Sequence, residues 1–132
     1  MRYLVVASTK ITGAGLKNLS ELKGLKLLDV AYNPEFSGDG FQWLGALPEL
    51  EWLKAMKTKV TDDALKHLAP LTKLNTLILS ENEITDAGLK HLAAIHSLGL
   101  LEIEKTKVTA AGVADFKKAL PNCRVVTDVP TP

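Results

Sequence analysis

The sequence predicts an α/β solenoid built from one short strand–helix unit copied in tandem. Three observations carry that prediction. Apolar residues recur with a constant period: Leu50, Leu74 and Leu98 are 24 apart, as are Leu53, Leu77 and Leu101. Within each period they first alternate and then recur at three and four residues. The residues between them change freely from copy to copy. A repeat of this length that cannot bury its own apolar face is stabilised by stacking on its neighbours.

The units run 1–24, 25–49, 50–73, 74–97 and 98–121, with a short tail at 122–132. The second is one residue longer, and the extra residue lies in AYNPEFSGDG near Pro34. Each unit opens with alternation, as in Leu28-Asp29-Val30, Leu77-Ile78-Leu79 and Leu101-Glu102-Ile103. Alternation is the pattern of a strand with one buried face. The second part of each unit has helical spacing: Leu16, Leu19, Leu22; Leu65, Leu68, Leu71; Leu89, Leu92, Ile95. That is a helix with one buried stripe.

Between strand and helix stands a hydroxyl, at Thr12, Ser37, Thr61, Thr85 and Thr109. Such a residue can accept a hydrogen bond from the orphan N–H groups of a helix start. Asp62 and Asp86 follow one place later, where a carboxylate suits the positive end of the helix dipole. Three places after the hydroxyl comes a small residue, Gly15, Gly40, Ala64, Gly88 or Gly112. Gly costs a helix about 1 kcal/mol relative to Ala, so its use there implies close approach of the neighbouring coil. The expected product is five βα coils in a single domain, with a parallel concave sheet and helices on the convex side.

The stretch Leu74-x-x-Leu77-x-Leu79-x-x-Asn82-x-Ile84 resembles the leucine-rich repeat signature. Its continuation, Ile84-Thr-Asp-Ala-Gly-Leu-Lys-His-Leu, is similar to the ribonuclease-inhibitor-like and cysteine-containing repeats, including bacterial proteins rich in TDAGL units. The resemblance runs through all five copies. It implies a horseshoe and a role in binding other proteins. Where that family places an Asn or Cys ladder, this chain reads Thr9, Asn33, Thr58, Asn82, Thr106. Thr is expected to bond turn backbone groups of the adjoining coil, keeping the ladder in weaker form. No F-box-like segment precedes the repeats, and the disulfide-rich caps of extracellular relatives are not in the sequence, so neither role carries over.

Composition excludes several function classes. The 132 residues are 46% hydrophobic and 23% charged, with a net charge of +1 spread evenly. No basic patch points to nucleic acid, and no apolar run is long enough to cross a bilayer. The opening MRYLVVAS is too short a run for a secretory signal. Cys123 is the single cysteine, which leaves no internal disulfide or cysteine zinc cluster. A reducing, cytoplasmic setting and no cofactor are the expectations.

Strand positions between the buried residues must face the concave solvent side. The first such column is Tyr3, Leu27, Trp52, Thr76, Leu100; the second is Val5, Asp29, Lys54, Ile78, Glu102; the third is Ala7, Ala31, Met56, Ser80, Glu104. Beyond the strand come Ser8, Tyr32, Lys57, Glu81 and Lys105. A bland solvent face would be polar throughout, whereas exposed aromatic and apolar clusters mark contact surfaces. The candidate partner-binding residues are therefore Tyr3, Leu27, Asp29, Tyr32, Glu35, Trp52, Lys54, Met56, Ile78, Leu100 and Glu102. The competing reading is that sheet curvature shields them. Such a sheet is roughly 20 Å across by strand spacing, and offers on the order of 200–300 Å2 against the about 800 Å2 per partner of a standard interface. The turns must then contribute, or the partner is a peptide.

Other candidates read as structural. His67 and His91 share a helical position, but packed helices stand about 8–10 Å apart and no third ligand is evident. Trp43 occupies the same place one coil earlier, exposed on the convex side, where it covers its coil or marks a second contact. Phe36 fills the slot of Ile84 and Val108. Glu81, Glu83, Glu102 and Glu104 interleave with Lys57, Lys59, Lys105 and Lys107, which suggests cross-strand pairing on a sheet too flat for a catalytic pocket. Cys123 lacks an activating base nearby in sequence and reads as packed in a closing strand. The functional expectation is a non-catalytic module that binds a protein or peptide. The alternatives are an assembly segment forming a homo-oligomer through an uncapped N-terminal edge at Tyr3–Val6, or a regulatory fragment of a larger enzyme.

Overall fold

A computed structural model describes residues 2–12, 15–34, 36 and 40–130. Strands and helices alternate along it: β1 (Tyr3–Val5), α1 (Leu16–Leu19), β2 (Leu27–Asp29), α2 (Phe41–Leu44), β3 (Trp52–Lys54), α3 (Asp62–Leu65), β4 (Thr76–Ile78), α4 (Asp86–Leu92), β5 (Leu100–Glu102), α5 (Ala110–Ala119) and β6 (Arg124–Val126). Among the described residues the six strands form one parallel sheet in chain order. The closing strand after Cys123 is the sixth. The register follows the repeat: Leu4, Leu28, Leu53, Leu77, Leu101 and Val125 stand side by side.

That ladder is the floor of the core. Leu28, Leu53, Leu77 and Leu101 are fully buried, as are Val30, Ala55, Leu79 and Ile103 two residues on. The helical stripe closes the other side with Leu65, Leu68, Leu71, Leu89, Leu92 and Ile95. Full burial of one such side chain contributes about 1.5–3 kcal/mol. Phe36 is buried in the slot of Ile84 and Val108, with its ring edge on Phe41 at 5.7 Å between centroids. Cys123 is buried too. Burial pushes its thiol up, against the pull of Lys117.

The helices are shorter than the apolar stripe suggests. α1, α2 and α3 each have four residues, and α3 tightens into a 3-10 turn at Lys66–Leu68 before Pro70. Among the described residues the hydroxyl caps form in the last two coils. Thr85 accepts from the Ala87 N–H and Thr109 from the Gly112 N–H, while Thr61 makes no such bond. Both of these hydroxyls are held from the coil before. Asp62 accepts from both the N–H and the hydroxyl of Thr85, at 2.8 and 2.5 Å; Asp86 does the same for Thr109, at 2.7 and 2.6 Å. The carboxylate turns each hydroxyl so that its lone pair faces the helix. Asp62 and Asp86 thus serve as staples between coils as well as occupying helix starts. The staples also account for the glycines. A Cβ on Gly88 would collide with the Asp62 carboxylate, and one on Gly112 with that of Asp86.

The turn ladder departs from expectation. Asn33 and Asn82 are buried and bridge coils. Asn82 Oδ1 accepts from the N–H groups of Thr58 and Val60 at 3.0 and 3.1 Å, while Nδ2 donates to the carbonyls of Ala55 and Leu79, both at 2.9 Å. Asn33 repeats the arrangement with Thr9, Ile11, Val6 and Val30. The threonines do not reach the adjoining coil. Thr9, Thr58 and Thr106 each donate to the carbonyl three residues back in their own turn. A hydroxyl on Cβ is too short to span the gap that an amide crosses.

Candidate functional site

The concave face is built from the outward strand positions. The first column runs Tyr3, Leu27, Trp52, Thr76, Leu100, Arg124 in register, and the second Val5, Asp29, Lys54, Ile78, Glu102, Val126. Tyr3 is 65% exposed and Val5 64%. Leu27, Asp29, Trp52, Lys54, Met56, Ile78, Leu100 and Glu102 are half-buried, shared between sheet and solvent. Not every outward position is available. Thr76 is buried between Trp52 and Leu100. The third column is partly closed, since Ala31 and Ser80 are buried. Both are small, and Ser80 Oγ accepts from the Glu104 N–H at 3.1 Å. Glu35, Ser37 and Asp39 lie outside the described residues.

Tyr32 reaches the rim by a backbone device. Ser8, Tyr32, Lys57, Glu81 and Lys105 all have φ between 54 and 62°. This left-handed conformation is uncommon for residues other than Gly, Asn and Asp. Here it is held by the sheet ladder, which continues past the strands: the N–H of Tyr32 donates to Met56 O at 2.9 Å, and that of Glu81 to Glu104 O at 2.9 Å. The chain turns away sharply at each, and its side chain projects from the rim. Tyr32 is 44% exposed there.

Two hollows lie on this face. One, of about 340 Å3, is lined by Tyr3, Leu27, Trp52 and Thr76, with Lys26, Glu51 and Asn75 along its border. The ion pair of Lys26 with Glu51, at 3.5 Å, closes that border. The other, of about 270 Å3, has Met56, Ile78 and Ser80 at its base and Lys54, Glu81, Glu102, Glu104 and Lys105 around it. The face is therefore not flat, and its charges are not the expected chain of cross-strand pairs. Of the eight residues in the interleaved set, Lys107 and Glu83 pair, at 2.6 Å; no other pair within that set forms among the described residues. The register explains this, because the neighbours of Glu102 are Ile78 and Val126. Sequence reasoning missed Lys26, Glu51 and Asn75. Their position one place before the strand in successive units was the available signal.

On the convex side Trp43 covers its coil, the first of its two expected roles, and is half-buried against the core instead of exposed. Its ring carries Lys17 Nζ at 5.6 Å from the centroid, a cation–π contact that gives Trp43 a structural role. His67 and His91 are half-buried on separate coils. Among the described residues no three His, Cys, Asp or Glu side chains gather where they could hold a metal, and no helix is long and apolar enough to cross a membrane.

A one-directional stack of βα coils, with a parallel inner sheet, apolar ladders and buried asparagines in the turns, defines a leucine-rich repeat solenoid. Comparison with known proteins agrees. The family model described as a leucine rich repeat matches residues 71–93. A chain of the crystal structure of the Rad7 and Elc1 complex in yeast superposes with a TM-score of 0.75 at 16% identity, covering 98% of this chain and 35% of that one. A leucine-rich repeat protein of Leptospira interrogans superposes at 0.60 with 21% identity, covering 81% of this chain and 26% of its own. The chain thus spans about a third and about a quarter of the two. No curated protein matches the sequence.

Proposed function

We propose that the chain is a non-catalytic recognition module that binds a protein or peptide through the concave sheet and the turns beside it. The observation that carries this reading is the first outward column. Tyr3, Leu27, Trp52 and Leu100 stand in register on the solvent side, where folding places no demand for apolar side chains. Aromatic anchors in partly enclosed hollows are where binding energy concentrates. Tyr32 extends the surface onto the rim, which a sheet this narrow needs if it is to engage more than a peptide. That one similar fold occurs in the Rad7–Elc1 complex supports a partner-binding use of such a solenoid.

The test compares proteins captured from lysate by the immobilised wild-type chain and by Trp52→Ala and Tyr32→Ala. A hot-spot aromatic is worth about 2 kcal/mol or more, so the specific set should be lost from Trp52→Ala with circular dichroism unchanged. Retention of the same set by both variants would contradict the reading. A second reading, self-association, draws on Tyr3 and Val5 on the edge strand β1. It predicts a concentration-dependent mass in sedimentation that Val5→Lys reduces to the monomer's.

A further inference from the structure

The two concave hollows share strands β3 and β4 but differ in chemistry, and together they describe an occupant. The first has an aromatic and apolar wall of Trp52, Tyr3 and Leu27, with the paired Lys26 and Glu51 at its border. The second has an apolar base at Ile78 and Met56 and three carboxylates around it, from Glu81, Glu102 and Glu104, against two ammonium groups, Lys105 beside Glu104 and Lys54 on the opposite side. Glu81, Glu102 and Glu104 are half-buried. Among the described residues none of their carboxylates, nor the Lys54 ammonium, has an ion-pair or hydrogen-bonded partner. The second hollow therefore carries three carboxylates against two cations, none of them ion-paired among the described residues, with the acidic excess over β5 and Lys54 over β3.

Resting on the reading of this face as a docking surface, we infer that its partner is an extended peptide segment with a large apolar or aromatic residue in the Trp52 hollow and a Lys or Arg side chain over Glu102 and Glu104. Geometry sets the spacing. From Trp52 to Glu102 is two strands across and two residues along, about 12 Å from the usual strand spacing and rise. An extended chain covers that distance in about four residues, and residues four apart in an extended chain share one side. Lys54 stands two residues along β3 from Trp52 and in the same row as Glu102, two strands away, and repels a cation placed on the β3 side of the face. Charge therefore fixes the direction in which the segment lies, as well as its composition.

The test uses the intact chain and fluorescein-labelled peptides of Gly and Ser that carry Trp and, four residues on, Arg. Control peptides replace Arg by Glu, or Trp by Ala. Fluorescence polarisation at low salt should show the Trp/Arg peptide binding about five-fold or more tighter than the Trp/Glu peptide, a difference that shrinks as salt screens the charges. The double variant Glu102→Gln, Glu104→Gln should erase the preference and keep the Trp-dependent binding. Equal or tighter binding of the Glu peptide, a preference that survives in the double variant, or no binding of any peptide overturns the inference. The parent reading fails differently: if Trp52→Ala leaves binding of the peptides and of captured proteins unchanged, the docking surface itself is elsewhere.

Discussion

Replacing Asn82 by Thr, the residue found at the same turn position in three other coils, tests whether hydrogen bonds between coils stabilise this solenoid. Asn82 is buried, and its amide is the partner of the Thr58 N–H, the Val60 N–H and the Leu79 carbonyl. Ala55 O has a second donor in the Thr58 hydroxyl at 2.7 Å and stays satisfied without Asn82. In Asn82→Thr the new hydroxyl can bond Leu79 O, as Thr58 and Thr106 bond the carbonyls of their own turns. Two buried N–H groups are left unpaired. At about 1–3 kcal/mol for each unsatisfied buried group, Asn82→Thr should cost about 2–6 kcal/mol. Asn82→Leu orphans the carbonyl as well and should cost about 3–9 kcal/mol, a large share of the about 5–15 kcal/mol typical of a domain. Urea denaturation with the slope held common gives these differences. An Asn82→Thr variant within about 0.5 kcal/mol of wild type would show that the bridging bonds contribute nothing that a hydroxyl within one turn does not.

Gly112→Ala drives a Cβ into the Asp86 side chain and should destabilise by about 1–3 kcal/mol through the lost bonds to Thr109; in an Asp86→Gly background, which also removes the Asp86 Cβ that would stand 2.9 Å away, the same change should turn neutral or stabilise by up to about 1 kcal/mol, the helix preference for Ala, as a thermal double-mutant cycle would show. Lys57, held at φ 54°, should tolerate Asn, but Lys57→Val should cost about 1–2 kcal/mol in urea unfolding, because a β-branched residue resists the left-handed region. Burial raises the Cys123 thiol in the folded chain. The unfolded chain therefore releases that proton first, so stability is full below the ordinary thiol range and declines as pH rises through it. Cys123→Ala should flatten that decline in unfolding measured from neutral to alkaline pH.

The register of the sheet was legible because a single spacing, repeated across Leu53, Leu77 and Leu101, fixes both the strand and its neighbour. The outward columns followed from alternation alone. What the pattern hid were effects of side-chain length and of the coil next door. Thr58 and Asn82 look interchangeable as polar turn residues, yet only the amide reaches across. Thr61, Thr85 and Thr109 look like equal caps, but among the described residues only the last two accept a helix N–H, and both hydroxyls are held by a carboxylate of the coil before. The charges near β5 suggested pairing because opposite signs alternate in sequence, whereas the register sets Glu102 between Ile78 and Val126. Ala31 and Ser80 fall in an outward column and are nevertheless covered, because small side chains sink below their neighbours.

A guest resting on the inner sheet beside the ladders is located residue by residue by amide chemical-shift mapping of the labelled chain. On adding a captured partner or the Trp/Arg peptide, shifts should concentrate at Tyr3, Leu27, Trp52, Ile78 and Glu102 and at the Tyr32 rim, with α3, α4 and α5 little moved. Shifts confined to the helices, with the strands silent, would contradict it.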